Sequence, residues 1–90
     1  MNKIVFSDQF WLTLHKIKKT NSVLIRLIEK KIELFQANSR HPSLRNHKLN
    51  GKLGNYWSLS INKSIRLIYI IAGENYVFVD IGTHDQVYKK

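Results

Sequence analysis

The sequence contains no cysteine and only one proline among its 90 residues. Without cysteine, neither a disulfide framework nor a thiolate zinc site can stabilise the fold. No stretch approaches the ~20 apolar residues that a membrane-spanning helix needs, and the first residues lack the apolar run of a signal peptide. The sequence therefore predicts one cytoplasmic domain over residues 1–90, with a single modest hydrophobic core and no membrane partner.

Acidic residues are scarce, and the middle of the chain has none. Six Asp and Glu stand against fifteen Lys and Arg, which gives a formal net charge of +9. No Asp or Glu occurs from Leu34 to Gly73. Lys and Arg that neutralise phosphates release condensed counterions, which supplies most sequence-independent affinity for nucleic acid. The pattern predicts RNA or DNA as a partner; surplus lysine for solubility is the alternative. The basic residues of this window are Arg40, Arg45, Lys48, Lys52, Lys63 and Arg66, joined by His41 and His47.

Hydrophobic spacing predicts a short strand and two helices in the first half of the chain. The strand lies at residues 3–7, and Ser7 or Asp8 can cap the helix that follows. A break at residues 20–22 supplies a fresh cap for the second helix. Two helices joined this closely form an antiparallel hairpin. Their apolar stripes are Phe10, Leu14 and Ile17, and then Leu24, Ile28, Ile32 and Phe35.

The second half changes to a period of two, which is typical of strands. After a basic loop at residues 38–54, alternating apolar residues predict strands near 57–61, 65–69 and 76–81. Turns at 62–64 and 73–75 join these strands into an antiparallel meander. We therefore predict an α+β fold, in which the N-terminal strand and two-helix hairpin pack on a small antiparallel β-sheet.

Alternation also assigns the two faces of this sheet. A three-residue turn places Ser60 opposite Arg66, on the face that points away from the helices. The predicted core face carries Trp57, Leu59, Ile61, Ile65, Leu67, Tyr69, Val77, Val79 and Ile81. The predicted outer face carries Ser58, Ser60, Arg66, Ile68, Ile70, Phe78 and Asp80.

The outer face and the tail at residues 84–88 offer the side chains that RNA cleavage requires. Internal attack by a 2′-hydroxyl needs a base, positive charge near the phosphate, and an acid for the departing 5′-oxygen. Histidine suits proton transfer, and His84 follows the last strand; its alternative role is an exposed residue paired with Asp85. Arg66 lies in an apolar strand, so its guanidinium needs an anion or a partner such as Asp80. Tyr88 can stack on a base, donate a hydrogen bond or simply pack.

The basic loop can contact phosphates through His47, Lys48 and Lys52, or these side chains can merely be solvated. The sequence shows no Ser-His-Asp spacing, no glycine-rich phosphate loop and no metal-ligand cluster. We therefore predict neither a metal site nor a cofactor.

Four short segments follow one another along the second half of the chain. They are His47-Lys48-Leu49-Asn50-Gly51, Asn55-Tyr56-Trp57-Ser58, Ile65-Arg66-Leu67-Ile68-Tyr69 and Gly82-Thr83-His84-Asp85-Gln86-Val87-Tyr88. In this order they resemble the RelE/ParE superfamily of toxin-antitoxin toxins. The His-x-Leu-x-Gly loop and the Gly-Thr-His ending are similar to the YafQ branch. The Tyr-Trp-Ser and Arg-Leu-Ile-Tyr strands are more similar to the RelE and YoeB branches.

This resemblance implies a RelE-like fold and a type II toxin that binds the ribosomal A site and cuts messenger RNA without a metal. An acidic cognate antitoxin would neutralise it, since a basic toxin attracts an acidic segment that folds on its surface. By position, the implied catalytic residues are His84, Arg66, His47 and Tyr88. The predicted RNA-binding residues are Arg40, Arg45, Lys48, Lys52, Lys63 and Ser60.

The chain also departs from the resembling branches. Ser60 and Ser64 stand where YafQ-like toxins have a further histidine and an aspartate, and the identity of the general base stays open. Two alternatives follow. The chain can be a ParE-like inhibitor of DNA gyrase, or a catalytically degenerate member that binds RNA or the ribosome without cutting.

Overall fold

The computed structural model describes residues 3–88, with the side chain of Leu53 excepted. A five-stranded sheet carries a helical hairpin on one face and a short C-terminal helix on the other. Within the described range, no helix has the length and apolarity needed to cross a membrane. The elements are β1 (Lys3–Phe6), α1 (Asp8–Thr20), α2 (Ser22–Ala37), β2 (His47–Lys48), β3 (Trp57–Ser60), β4 (Ile65–Ala72), β5 (Asn75–Thr83) and α3 (His84–Tyr88), with 3-10 turns at Pro42–Leu44 and Gly51–Leu53.

The sheet has the strand order β1-β5-β4-β3-β2. The predicted meander is present, because β3, β4 and β5 pair antiparallel through the two expected turns. Two additions widen the sheet. β1 pairs with β5 in parallel, and the predicted basic loop contributes the two-residue strand β2 at the opposite edge. The predicted α+β class and the helical hairpin on the sheet are confirmed. The sheet is mixed and not purely antiparallel, because β1 belongs to it as a parallel edge strand.

Ser7 joins the first helix to the last long strand. Its hydroxyl oxygen accepts a hydrogen bond from the Phe10 N–H at 3.1 Å, which satisfies one of the unpaired donors at the start of α1. The same hydroxyl donates to the Val79 carbonyl at 3.1 Å, and the Ser7 N–H donates to the Phe78 carbonyl at 2.9 Å. The predicted cap therefore also fixes where α1 sits on β5.

Asn21 ends one helix and begins the next. Its N–H donates to the Ile17 carbonyl at 2.8 Å, and its side chain accepts from the Leu24 N–H at 3.0 Å. Because one residue serves both helices, the turn is tight and the helices return side by side, as predicted for a hairpin.

The core lies between this hairpin and the sheet. Phe10, Ile28 and Phe35 from the helices meet the sheet residues, and aromatic edge-to-face contacts dominate the centre. The buried core residues from β3, β4 and β5 are Leu59, Leu67, Tyr69, Phe78 and Ile81, and Ile61 joins them from the turn after β3.

The predicted face assignment of β5 is wrong for Val77, Phe78 and Val79. Ile68 and Tyr69 are consecutive on β4, but their partners on β5 are two residues apart, so Val79 is an extra, bulged residue. The bulge turns Phe78 into the core, where it is fully buried, while Val77 and Val79 are only half-buried. Burying a phenylalanine side chain stabilises the fold by about 1.5–3 kcal/mol. The Phe78 ring therefore occupies the core position, and the regular alternation of β5 is interrupted.

The double role of Ser7 predicts a measurable loss of stability in the Ser7→Ala variant. The substitution removes the cap of α1 and the bond to the bulged carbonyl, and we expect the free energy of unfolding to fall by about 1–2 kcal/mol. Ser7→Thr retains the hydroxyl and should lose much less. The exposed Ser22→Ala is a matched control in urea denaturation. An unchanged midpoint for Ser7→Ala would contradict this reading.

Burial raises the pKa of Tyr69 from 10.0 to about 12, while its hydrogen bond to Asn46 opposes the rise. Since the folded protein holds this proton more tightly than the unfolded chain, the contribution to stability is complete below pH 10 and is lost as pH approaches 12. Alkaline urea titrations should show this loss in the parent protein and not in Tyr69→Phe. Identical pH slopes for the two proteins would refute the assignment.

Candidate functional site

The face of the sheet that points away from α1 and α2 is the outer face, and the sequence-predicted catalytic residues His47, Arg66, His84 and Tyr88 lie on it. In one row across the sheet, His47 lies opposite Ser58, Ser58 opposite Ile68, and Ile68 opposite Asp80. In the next row Ser60 lies opposite Arg66, as the three-residue turn predicts, and Arg66 opposite Gly82. Paired positions in antiparallel strands are about 5 Å apart at Cα.

Helix α3 covers part of this face. A reciprocal capping box fixes its first turn, since Thr83 Oγ1 accepts from the Gln86 N–H at 3.3 Å and Gln86 Oε1 accepts from the Thr83 N–H at 2.8 Å. Gly82 has no side chain to obstruct this box, whereas a Cβ there would lie 2.7 Å from Gln86 Oε1. Val87 and Ile68 are both buried where the helix meets the sheet.

A short hydrogen bond ties the end of α3 to the sheet. Ser58 Oγ and Tyr88 Oη are 2.6 Å apart, and Ser58 is fully buried. The Tyr88 ring in turn meets the His84 ring edge to face, with centroids 4.2 Å apart. His84 thus reaches solvent from a position fixed through Tyr88 and Ser58. The expected His84–Asp85 pair has a 3.7 Å separation between two largely exposed side chains, so it contributes little.

His47 enters the outer face from β2 with its tautomer determined by a neighbour. Its Nδ1 lies 2.7 Å from the Arg45 carbonyl oxygen. A carbonyl oxygen only accepts, so Nδ1 carries hydrogen, and Nε2 of the neutral ring is left as the proton acceptor. The exposed ring therefore presents a basic nitrogen to solvent.

Arg66 is anchored at the β3–β4 turn. Its Nη1 donates to the Asn62 carbonyl at 2.7 Å, to the Ile65 carbonyl at 3.3 Å and to Ser60 Oγ at 3.5 Å. These bonds orient the guanidinium through neutral groups and leave its positive charge available to an anion. The half-buried side chain shares the outer face with Ser60.

Asp80 adds the buried carboxylate of this face. Its Oδ1 accepts a hydrogen bond from the Ile81 N–H at 2.9 Å. It lies one row away from Arg66, the partner that the strand parity suggested. Among residues 3–88, no group of three or more His, Cys, Asp or Glu is placed to hold a metal ion.

The predicted RNA-binding residues divide between the two sides of the sheet. Lys63 lies in the exposed turn beside the Arg66 anchor, and Lys52 lies in the exposed 3-10 turn after β2. Lys48 pairs with Trp57 and so belongs to the opposite face from His47. Arg40 and Arg45 line a cavity on the helix side of the sheet. The predicted RNA-binding residues therefore do not all share the outer face with His47 and Arg66.

Sequence reasoning missed two residues that hold the site together, Ser58 and Gln86. Each had a readable signal. Ser58 shares strand parity with Ser60, which placed it on the outer face without a role. The Thr-x-x-Gln spacing at residues 83–86 matches a capping box. It marks helix α3, where the hydrophobic spacing predicts only a tail.

Comparison with known proteins gives consistent matches over nearly the whole chain. A family model described as the bacterial toxin YafQ of type II toxin-antitoxin systems matches residues 2–89. A Methanocaldococcus jannaschii protein named "Putative toxin RelE4" is 32% identical over 79 residues, which cover 86% of this chain and 80% of that protein.

Two solved structures share the fold at low sequence identity. A YafQ mutant from E. coli superposes with a TM-score of 0.81 at 18% identity and covers 98% of this chain and 99% of its own. A chain of the E. coli DinJ-YafQ complex superposes with a TM-score of 0.79 at 19% identity, with the same coverage.

The contact between Ser58 and Tyr88 predicts coupled effects on stability. Ser58→Ala and Tyr88→Phe should each destabilise the fold, and the double variant should lose less than the sum, with a coupling of about 1 kcal/mol. The matched cycle of Ser60→Ala with Tyr88→Phe should be additive. Urea denaturation measures all of these variants. Additivity in the first cycle would show that the hydrogen bond is absent in solution.

Proposed function

The chain belongs to the YafQ family of type II toxin-antitoxin toxins, and we propose that it is a ribosome-dependent mRNA endoribonuclease that inhibits translation. The observation that carries the proposal is the gathering of His47, His84, Arg66 and Tyr88 on the outer face. These side chains supply the proton carriers, the cation and the aromatic ring that metal-independent RNA cleavage uses.

In the proposed reaction, His47 acts as the base and His84 as the acid. Nε2 of His47 takes the proton from the 2′-hydroxyl, and the 2′-oxygen attacks the adjacent phosphorus. The bond from phosphorus to the 5′-oxygen breaks, and protonated His84 gives its proton to that oxygen. The products are a 2′,3′-cyclic phosphate and a 5′-hydroxyl, with the proton of the 2′-hydroxyl left on His47. The tautomer of His47 supports its role, and the exposure of His84 supports contact with RNA.

Arg66 stabilises the charge that develops on the phosphate. Its orientation by the Asn62 and Ile65 carbonyls means that little reorganisation is needed when the phosphate arrives. Ser60, directly opposite, offers a hydroxyl to the same phosphate. The hydroxyls of Ser58 and Ser60 are much weaker bases than an imidazole, so we assign proton transfer to the two histidines.

Tyr88 positions His84 and presents its ring to a base of the mRNA. The edge-to-face contact holds the imidazole, and the bond to Ser58 holds the phenol. The proposed role of Ser58 is to position the acid through Tyr88.

The ribosome and an acidic antitoxin are the proposed partners. The net charge of +9 favours both rRNA and an acidic protein segment. The hairpin also leaves Trp11, Leu12 and Val23 exposed, which offers apolar surface to a folding antitoxin segment. A chain of this fold occurs in the E. coli DinJ-YafQ complex, which supports pairing with an antitoxin.

A reconstituted translation system tests the proposal directly. We expect the protein to cut mRNA only while ribosomes translate it. His84→Ala and His47→Ala should each slow cleavage by roughly 100-fold or more, and Arg66→Ala should slow it by a similar factor. Primer extension on the mRNA measures the cuts.

Matched controls come from the helices, where His15 and Arg26 are exposed. His15→Ala and Arg26→Ala should cut like the parent protein. Ribosome binding without cleavage by the parent protein would identify a binding-only member. Inhibition of gyrase supercoiling with intact transcripts would contradict the proposal and favour the ParE-like alternative.

A further inference from the structure

A cavity of about 440 Å³ opens on the helix side of the sheet, away from the outer face. Its sheet wall includes Trp57 and Tyr69, and its loop wall lies in the segment between α2 and β2. A second cavity of about 570 Å³ adjoins it and shares Ser39, Arg40 and Tyr76. Volumes of this size suit one or two nucleotide units.

The charge of this cavity is positive without any compensating acid among its described lining residues. Arg40 and Arg45 both line it and both are exposed. Within residues 3–88, neither guanidinium takes part in an ion pair or a side-chain hydrogen bond. Arginine forks match phosphate oxygens in geometry as well as charge, so the cavity favours a phosphate-bearing ligand.

The loop wall is fixed to the core before any ligand arrives. Tyr69 Oη donates to Asn46 Oδ1 at 2.7 Å, and Asn46 Nδ2 donates to the Ser39 carbonyl at 3.0 Å. Burial and the raised pKa of Tyr69 keep its hydroxyl protonated as the donor of this chain. The cavity is thus built into the fold.

Arg45 holds a backbone conformation that favours glycine. Its φ of 47° and ψ of 41° lie in the left-handed region, which costs a non-glycine residue about 1 kcal/mol. Arg45 is the residue that ends the 3-10 turn at Pro42–Leu44, and its carbonyl accepts a hydrogen bond from His47 Nδ1. Glycine would be more stable at this position, so a role of the Arg45 side chain in binding would offset the backbone cost.

Trp57 supplies an aromatic wall. Its ring lies nearly parallel to Tyr69, with an interplanar angle of 19° and centroids 6.1 Å apart, and it remains half-buried. A partly exposed indole beside two arginines is the combination that stacks a base while its phosphate is neutralised. An acidic peptide would satisfy the arginines but would make no use of the indole face.

We propose that this cavity is a second RNA site, which binds a single-stranded nucleotide with its phosphate on Arg40 and Arg45 and its base against Trp57. The inference rests on the proposed function in taking RNA as the ligand, but the site lies on the opposite side of the sheet from the cleavage residues. It anchors RNA and does not cut it.

Fluorescence of Trp57 reports on this site. The chain has two tryptophans, so Trp11→Phe leaves Trp57 as the single indole. The probe is 2′-O-methyl hexa-adenylate, which 2′-hydroxyl attack cannot cleave. We expect it to quench Trp57. Arg40→Gln and Arg45→Gln should each weaken binding roughly tenfold and lower the slope of log affinity against log salt by roughly 0.7.

Two further variants separate binding from folding and from cleavage. Arg45→Gly relieves the backbone strain, so it should weaken binding while thermal stability stays equal or rises. Arg66→Gln should leave the quenching of Trp57 intact even where it abolishes cleavage, and Arg26→Gln should match the parent protein. Because no ribosome or scission is involved, failure here leaves the proposed nuclease activity standing.

Unchanged affinity in both Arg40→Gln and Arg45→Gln would overturn the second site. Quenching by a short polyglutamate peptide as strong as that by the oligonucleotide would overturn the assignment to RNA and would point to an acidic protein segment. Loss of quenching in Arg66→Gln alone would place RNA on the outer face and would also refute the inference.

Discussion

The antiparallel register of β3, β4 and β5 decides which side chains share the outer face. The three-residue turn after β3 sets Ser60 against Arg66, and the same register sets Arg66 against Gly82. A slip of one residue on β4 would turn Arg66 toward the helices and expose the core residues that flank it. Core packing on the helix side therefore determines which side chains the solvent side presents. The hydrogen bond between Ser58 and Tyr88 then holds α3 against the outer face of the sheet.

The sequence predicts much of this arrangement. Helical spacing located both helices, Ser7 was one of two expected caps, and the turn at residues 62–64 correctly set the Ser60–Arg66 pair. What alternation could not predict was the bulge at Val79. The run Val77-Phe78-Val79 is apolar throughout, so alternation alone allows either Phe78 or the two valines to face the core. The packing of the Phe78 ring against Phe10 and Phe35 decides that Phe78 faces the core.

The sequence predicts which residues belong to the candidate site better than it predicts on which face of the sheet each one lies. His84, Arg66, His47 and Tyr88 were identified from residue chemistry and resemblance, and they share one face. Their roles stay predictions. Arg40, Arg45 and Lys48 were grouped with them because they lie nearby in sequence. Strand alternation at β2 sends His47 and Lys48 to opposite faces, and the turn before it carries the two arginines to the helix side. Loop charge alone cannot reveal that division.

We propose above that the outer face cleaves RNA by internal attack of a 2′-hydroxyl. The most direct test places an mRNA on the ribosome with a single 2′-deoxynucleotide at the position where the all-ribose message is cut. We expect the protein to bind both complexes, to cut the all-ribose message to a 2′,3′-cyclic phosphate and a 5′-hydroxyl, and to leave the deoxy message intact. Equal cleavage of the two messages would contradict it.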